Sequence, residues 1–232
     1  MTQENVLVVK NDYKLWDRYY VESGICMNEE FITQLFNQDY LFIPRDKAEN
    51  NPEFKQIIPY IVISSINATN SLKNKNWDRT YYAYRRSSKS TEDRLKRKWT
   101  LGFGGHINDI DAGDSLISTF VNGFERELQE ETGLTTSDFI SVPRVVGIIN
   151  NDTTDVGKVH LGVLIVIDLM MEKSLLANDP GKNEIEVDGH WIKLQKITDG
   201  SIETEDWTTI ILPVLDNDII ISSPKLNNLE YI

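Results

Sequence analysis

Three glutamates near the middle of the chain are spaced so as to share one face of a helix. At about 100° per residue, Glu130 and Glu131 lie about 60° and about 40° to either side of Glu127. Like charges this close repel one another, and a hard divalent cation bound by carboxylate oxygens relieves the repulsion. The pattern is typical of a magnesium or manganese site, although a solvated acidic helix face has the same pattern.

The residues around these acids carry a more specific signal. Residues 126–134 (RELQEETGL) match, position by position, the second half of the pattern G-x5-E-x7-R-E-U-x-E-E-x-G-U, where U is aliphatic. Two consecutive glycines, Gly104 and Gly105, precede this segment. The chain therefore resembles the Nudix (MutT-like) hydrolases, which carry this pattern as their signature.

This resemblance implies a set of site residues. It places Mg²⁺ or Mn²⁺ on Glu127, Glu130, Glu131 and Gly105, and it makes the same glutamates catalytic, together with Arg126. Arg126 is expected to pair with a carboxylate and hold it in place. In many Nudix hydrolases a loop before the last helix supplies a further glutamate to the metals or to catalysis. Glu184 or Glu186 is the candidate here, and the alternative is that each is a solvated loop acid.

The first half of the pattern does not fit as well. Eight residues separate Gly105 from Asp114 where the pattern has five, and eleven separate Asp114 from Arg126 where it has seven. Four extra residues are about one helical turn, so a longer helix keeps the same face towards the site. We predict that Asp114 caps this helix, with an outer metal contact as the alternative role.

A basic stretch is the other local signal of a site. Residues 85–98 contain seven Lys and Arg against two acids, in a chain with a net charge of −12. A polyanionic substrate needs such a positive region near the metals, so Arg85, Arg86 and Arg94 are candidate substrate-binding residues. A solvated loop is the alternative. The three histidines show no paired spacing that would indicate a zinc site.

Composition excludes several other classes of protein. The net charge of −12 argues against stable binding to nucleic acids, because binding to a phosphate backbone requires a broad basic face on the protein. A single Cys excludes a disulfide framework and a Cys-based zinc site. No apolar run approaches the roughly 20 residues that span a bilayer, and the first residues do not resemble a signal peptide. We therefore expect a cytoplasmic protein that does not associate with membranes.

The elements that must position the acids follow from hydrophobic periodicity. A helix is predicted over residues 115–132, because apolar residues form a separate stripe and Gly133 can end it. Strands are predicted before and after it, and a shorter helix is predicted over residues 203–215, bent or ended at Pro213. The expected fold is α/β, a mixed β-sheet sandwiched between helices. Residues 51–232 are expected to form the Nudix domain and residues 1–50 a strand–helix extension packed on it.

The predicted function is hydrolysis of a phosphoanhydride in a nucleoside diphosphate linked to another group. Nucleotide sugars, ADP-ribose, dinucleotides and nucleoside triphosphates are all compatible with this pattern. One alternative is a non-catalytic Nudix-fold domain that senses a nucleotide, and a second is an unrelated fold with a chance acidic helix. A homodimer is compatible with the resemblance.

Overall fold

The computed structural model describes residues 4–11, 19, 21–67, 78–85, 98–175, 189–200, 202–215 and 217–227. Its strands are Asn5–Lys10 (β1), Ser23–Cys26 (β2), Tyr40–Pro44 (β3), Phe54–Asn67 (β4), Asp78–Arg85 (β5), Trp99–Thr100 (β6), Gly102–Phe103 (β7), Arg144–Asn151 (β8), His160–Leu169 (β9) and His190–Ile192 (β10). Its α-helices are Glu29–Phe36 (α1), Arg45–Ala48 (α2), Leu116–Thr132 (α3), Leu194–Thr198 (α4), Asp206–Ile211 (α5) and Asn217–Ser222 (α6).

The strands form one large mixed sheet. Its main order is β10-β5-β4-β9-β8-β2, and β1 joins it by pairing with both β3 and β4. The central pair, β4 and β9, is parallel over ten residue pairs, from Gln56 and His160 to Ser65 and Leu169. Turn-rich or polar residues separate the apolar runs of β4 and β5 and of β8 and β9, which predicts two hairpins, and both pairs are antiparallel as expected.

Both faces of the sheet are covered, as strand β4 shows. Ile61 and Ile63 point to the core that contains Phe120 and Phe124 of α3, whereas Tyr60 and Val62 point to the opposite core. The opposite core contains Ile211 and Val214 from the C-terminal helices. Alternation of two buried faces along one strand requires a layer on each side. The predicted α/β fold with a sandwiched sheet is confirmed.

Helix α3 agrees closely with the prediction over residues 115–132. It begins after Ser115, whose hydroxyl accepts a hydrogen bond from the backbone N–H of Ser118 (3.1 Å). It ends at Gly133, which has a left-handed φ of 73° that glycine adopts without strain. One stripe of the helix is buried, including Phe120, Phe124 and Leu128. Both ends and the orientation of the helix are therefore determined by local chemistry and packing.

The N-terminal residues contribute strands and a helix to the same layers. Asn28 caps α1 by accepting a hydrogen bond from Phe31 N–H (3.0 Å), as its sequence indicates. The polar residues 44–55, with Pro44 and Pro52, predict a loop, and this prediction is wrong in part, because α2 forms there. Its Arg45 pairs with Glu4 at 3.0 Å and with Glu49 at 3.5 Å. Separation of residues 1–50 as an extension stays a prediction.

No helix in the described part of the chain has the length and hydropathy needed to cross a bilayer.

Candidate active site on helix α3

Of the two aspartates before α3 that could belong to the acidic site, Asp111 is the one that contacts it, and Asp114 is not. Asp111 lies in a single 3-10 turn, Asp109–Asp111, and is 5% exposed. Its two carboxylate oxygens each accept a hydrogen bond from Arg126, from Nε and from Nη2, both at 2.8 Å. Asp114 is exposed, and the helix is capped by Ser115 rather than by Asp114 as predicted. That prediction is wrong because Ser115 is adjacent to the first helical residue, and its hydroxyl reaches the orphan N–H groups.

The position of Asp111 also changes how the sequence fits the signature. Five residues separate Gly105 from Asp111, which is the spacing of the pattern, and fourteen separate Asp111 from Arg126. All of the additional length therefore lies between the 3-10 turn and the second half of the pattern. Residues 112–115 connect the turn to α3, and the ten residues that follow them form the part of α3 that precedes Arg126.

Arg126 connects this turn to the helix and to the strand end. Its Nη1 donates to Glu127 Oε1 at 2.7 Å and to Glu130 Oε2 at 3.0 Å. Its Nη2 also donates to the backbone carbonyl of His106 at 2.9 Å. The hydrogen bonds with Asp111 are the main reason that the pKa of Arg126 is raised. A permanently charged guanidinium thus fixes the orientation of three carboxylates, which is the kind of role that the resemblance implies.

Glu127 is the buried member of the acidic group. Only 6% of the residue is exposed, and this burial raises its pKa. Arg126 opposes the rise in pKa, whereas the charges of Glu131 and Glu130 add to it. Glu130, in contrast, exposes 56% of its side chain. The acidic face therefore extends from a desolvated carboxylate to a solvated one.

Glycines allow the strand end to approach this helix closely. A Cβ on Gly105 would lie 2.6 Å from Oε2 of Glu127, and a Cβ on Gly123 would lie 2.7 Å from Cγ1 of Ile107. Gly104 has a φ of 143°, which disfavours other residues. The backbone of this segment therefore lies directly against the Glu127 carboxylate.

These features fit a divalent cation that prefers oxygen ligands. Glu127, Glu130 and Glu131 supply carboxylate oxygens on one face, and their mutual repulsion is part of what raises the pKa of Glu127. The absence of a side chain on Gly105 leaves room beside Glu127. Magnesium and manganese prefer such oxygen-rich sites.

Comparisons with known proteins agree with this geometry. No protein-family model matches the chain. The protein YmaB of Bacillus subtilis (strain 168) is 28% identical over 218 residues, which are 92% of this chain and 98% of YmaB. Among solved structures, Tm1382, a candidate Nudix hydrolase, is 27% identical with a TM-score of 0.67, covering 91% of this chain and 98% of that one. The chain has the Nudix fold.

The same fold is found at much lower sequence identity. A NUDIX hydrolase from Alicyclobacillus acidocaldarius has a TM-score of 0.52 at 12% identity, over 76% of this chain and 96% of that one. The resemblance to the Nudix hydrolases that the sequence indicates is thus confirmed. The alternative of an unrelated fold with a chance acidic helix is wrong.

The predicted substrate-binding residues are only partly within the described chain. Arg85 lies at the end of β5 in the Nudix sheet, with its guanidinium carbon 5.4 Å from the centre of the Trp99 ring. Arg86, Arg94, Glu184 and Glu186 lie outside the described residues. Substrate binding by the arginines, and a role of Glu184 or Glu186 beside the metals or in substrate binding, stay predictions.

Proposed function

We propose that this protein is a metal-dependent Nudix hydrolase that cleaves a phosphoanhydride in a nucleoside diphosphate linked to another group. One observation carries the proposal: Asp111, Arg126, Glu127 and Glu130 form a connected set of charged groups beside Gly105. A sensing domain that binds without hydrolysis has no need for a complete set of acids. The likeness to Nudix hydrolases supports the same class of reaction.

The chain's own residues would divide the work as follows. Glu127, Glu130 and Glu131, with Gly105, would hold Mg²⁺ or Mn²⁺, which supplies charge neutralisation at the phosphates and lowers the pKa of bound water. Arg126 would keep the carboxylates of Glu127 and Glu130 oriented through its hydrogen bonds. A carboxylate of this acidic group, or one from the loop with Glu184 and Glu186, would accept the proton of the attacking water.

The substitution Glu130→Gln tests the proposal directly. It keeps the size of the side chain and removes one charge, and the side chain is 56% exposed, so folding should be retained. If Glu130 stabilises the transition state through a metal, kcat should fall at least about 100-fold, which is about 2.7 kcal/mol. The measurement is product-resolved turnover of a panel of nucleoside diphosphate derivatives with Mg²⁺ and with Mn²⁺.

Glu125→Gln is the matched control, because Glu125 is an exposed residue on the same helix, pointing away from the acidic face. It should leave turnover almost unchanged. Equal and small effects of both substitutions would show that the acidic face is not catalytic. Absence of turnover by the parent protein on every nucleotide, with binding retained, would favour the sensing domain instead.

A further inference from the structure

We propose that Glu49, His106 and His160 form a second metal site, which takes a divalent transition metal of the zinc type and is distinct from the acidic group on α3. The three residues come from three separate parts of the fold. Glu49 directly follows α2, His106 follows the glycine pair, and His160 begins β9. One ligand atom from each residue lies within 4.8 Å of the other two.

The distances between the ligand atoms suit direct coordination. The Nε2 atoms of His106 and His160 are 3.4 Å apart. Glu49 Oε1 lies 3.7 Å from Nε2 of His106 and 4.0 Å from Nε2 of His160. A point equidistant from these three atoms lies about 2.2 Å from each of them. Bonds from zinc to imidazole nitrogen and to carboxylate oxygen are about 2.0–2.2 Å long, so a metal at this point, in the plane of the three ligand atoms, is within bonding distance of all of them. A four-coordinate metal would lie out of that plane and draw Glu49 Oε1 closer to the two imidazoles.

His160 is already in the tautomer that a metal requires. Its Nδ1 lies 2.7 Å from the carbonyl oxygen of Val156. A carbonyl only accepts hydrogen bonds, so Nδ1 carries the proton, and in the neutral imidazole Nε2 then presents its lone pair towards His106 and Glu49. A hydrogen bond of this kind behind a ligating histidine is a regular feature of metal sites.

The surroundings are consistent with one open coordination position. The side chains of His160 and His106 are 8% and 14% exposed, whereas that of Glu49 is 33% exposed. The buried side of the site is thus made of imidazole, and the carboxylate lies on the side towards solvent. Arg45 Nε, 3.5 Å from Glu49 Oε1, is the cation that a bound metal would have to displace or tolerate.

Ligand chemistry separates this site from the acidic group. Imidazole favours zinc and related transition metals, whereas carboxylates without nitrogen ligands favour magnesium and manganese. The two sites adjoin, because the carbonyl of His106 accepts a hydrogen bond from Arg126 at 2.9 Å. A metal on the imidazole of His106 would therefore fix the same segment that lies against Glu127.

Zinc binding in the presence of excess magnesium tests the proposal, because the proposed function has magnesium occupy the acidic group. Isothermal titration of the full chain with Zn²⁺ should show one tight site per chain. Glu49→Gln and His106→Gln should each weaken binding on the order of 100-fold or more, since loss of a ligand costs at least as much as loss of its supporting hydrogen bond. Circular dichroism would establish that both variants fold.

Two controls assign the binding to these residues. His190→Gln, at the exposed third histidine on β10, and Glu130→Gln, on the acidic group, should both keep the tight zinc site. Co²⁺ in place of zinc should give the visible absorption of a four-coordinate, nitrogen-ligated ion, and Glu49→Gln should change that spectrum. The proposal is overturned if the parent protein shows no tight zinc site, if Glu49→Gln and His106→Gln retain it, or if Glu130→Gln removes it.

Discussion

Gly105 is packed so closely against Glu127 that its lack of a side chain is a requirement of the site. A Cβ there would lie 2.6 Å from the carboxylate oxygen Oε2, well inside van der Waals contact. Glu127 cannot move away easily, because it is buried and its other oxygen accepts a hydrogen bond from Arg126 at 2.7 Å. The position of this carboxylate therefore depends on the glycine.

Gly105→Ala should consequently impair activity more than stability. Displacement of a carboxylate by about 1 Å can cost about 100-fold in rate, so we expect a loss of kcat/KM of that order. Gly200→Ala is the control. Gly200 has a φ of 76° and open space around its missing Cβ, so alanine there adds backbone strain of about 1 kcal/mol without a clash. Steady-state kinetics and urea unfolding of both variants check the expectation. A fully active Gly105→Ala variant would contradict it.

At the scale of elements, the sequence allows an accurate prediction of α3 but not of the turn that precedes it. The helix has an apolar stripe, a capping serine and a terminal glycine, all of which are local signals. Asp111 depends on a contact with Arg126, fifteen residues away, which hydrophobic periodicity does not reveal. The available signal was the spacing of five residues after Gly105, which matches the first half of the signature. Asp114 competes with Asp111 in the sequence because it stands immediately before the capping Ser115.

Substitution at the two aspartates distinguishes their roles. Asp111→Asn should lower the free energy of unfolding by about 2 kcal/mol, because it weakens two hydrogen bonds between a buried carboxylate and Arg126. Asp114→Asn changes an exposed residue and should stay within about 0.5 kcal/mol of the parent protein. Chemical denaturation of both variants gives the comparison. Similar values for the two would mean that the link between the turn and the helix is not needed for stability.

At the scale of the whole molecule, the sequence predicts the layers of helices and sheet better than it predicts contacts between residues that are distant in the chain. The continuous apolar run of β4 and the apolar stripe of α3 already indicate a sheet that is covered on both sides. The contact between His106 and His160 joins residues 54 positions apart, and Glu49 lies in a segment expected to be a loop. Such a cluster arises from the parallel pairing of β4 with β9, and no short spacing in the sequence encodes it. The histidines are therefore far apart in the sequence, and two of them come into contact only in the folded chain.

The charge distribution of the whole chain leads to a prediction about ionic strength. The net charge is −12, yet residues 85–98 carry seven basic and two acidic side chains. If this stretch attracts a polyanionic substrate to the acidic helix, kcat/KM should fall as salt shortens the screening length from about 30 Å at 0.01 M to about 8 Å at 0.15 M. We expect a fall of about tenfold, the lower end of the range for steered association.

Paired variants show whether this attraction comes from the stretch itself. Arg86→Gln combined with Arg94→Gln should flatten the dependence of kcat/KM on salt. Lys10→Gln combined with Lys225→Gln removes the same charge from exposed residues outside the stretch and should leave the dependence steep. Initial rates over a salt series, at a fixed concentration of free Mg²⁺, provide the measurement. A parent enzyme whose kcat/KM rises with salt would show that repulsion by the net negative charge prevails, because screening then assists the approach of substrate rather than opposing it.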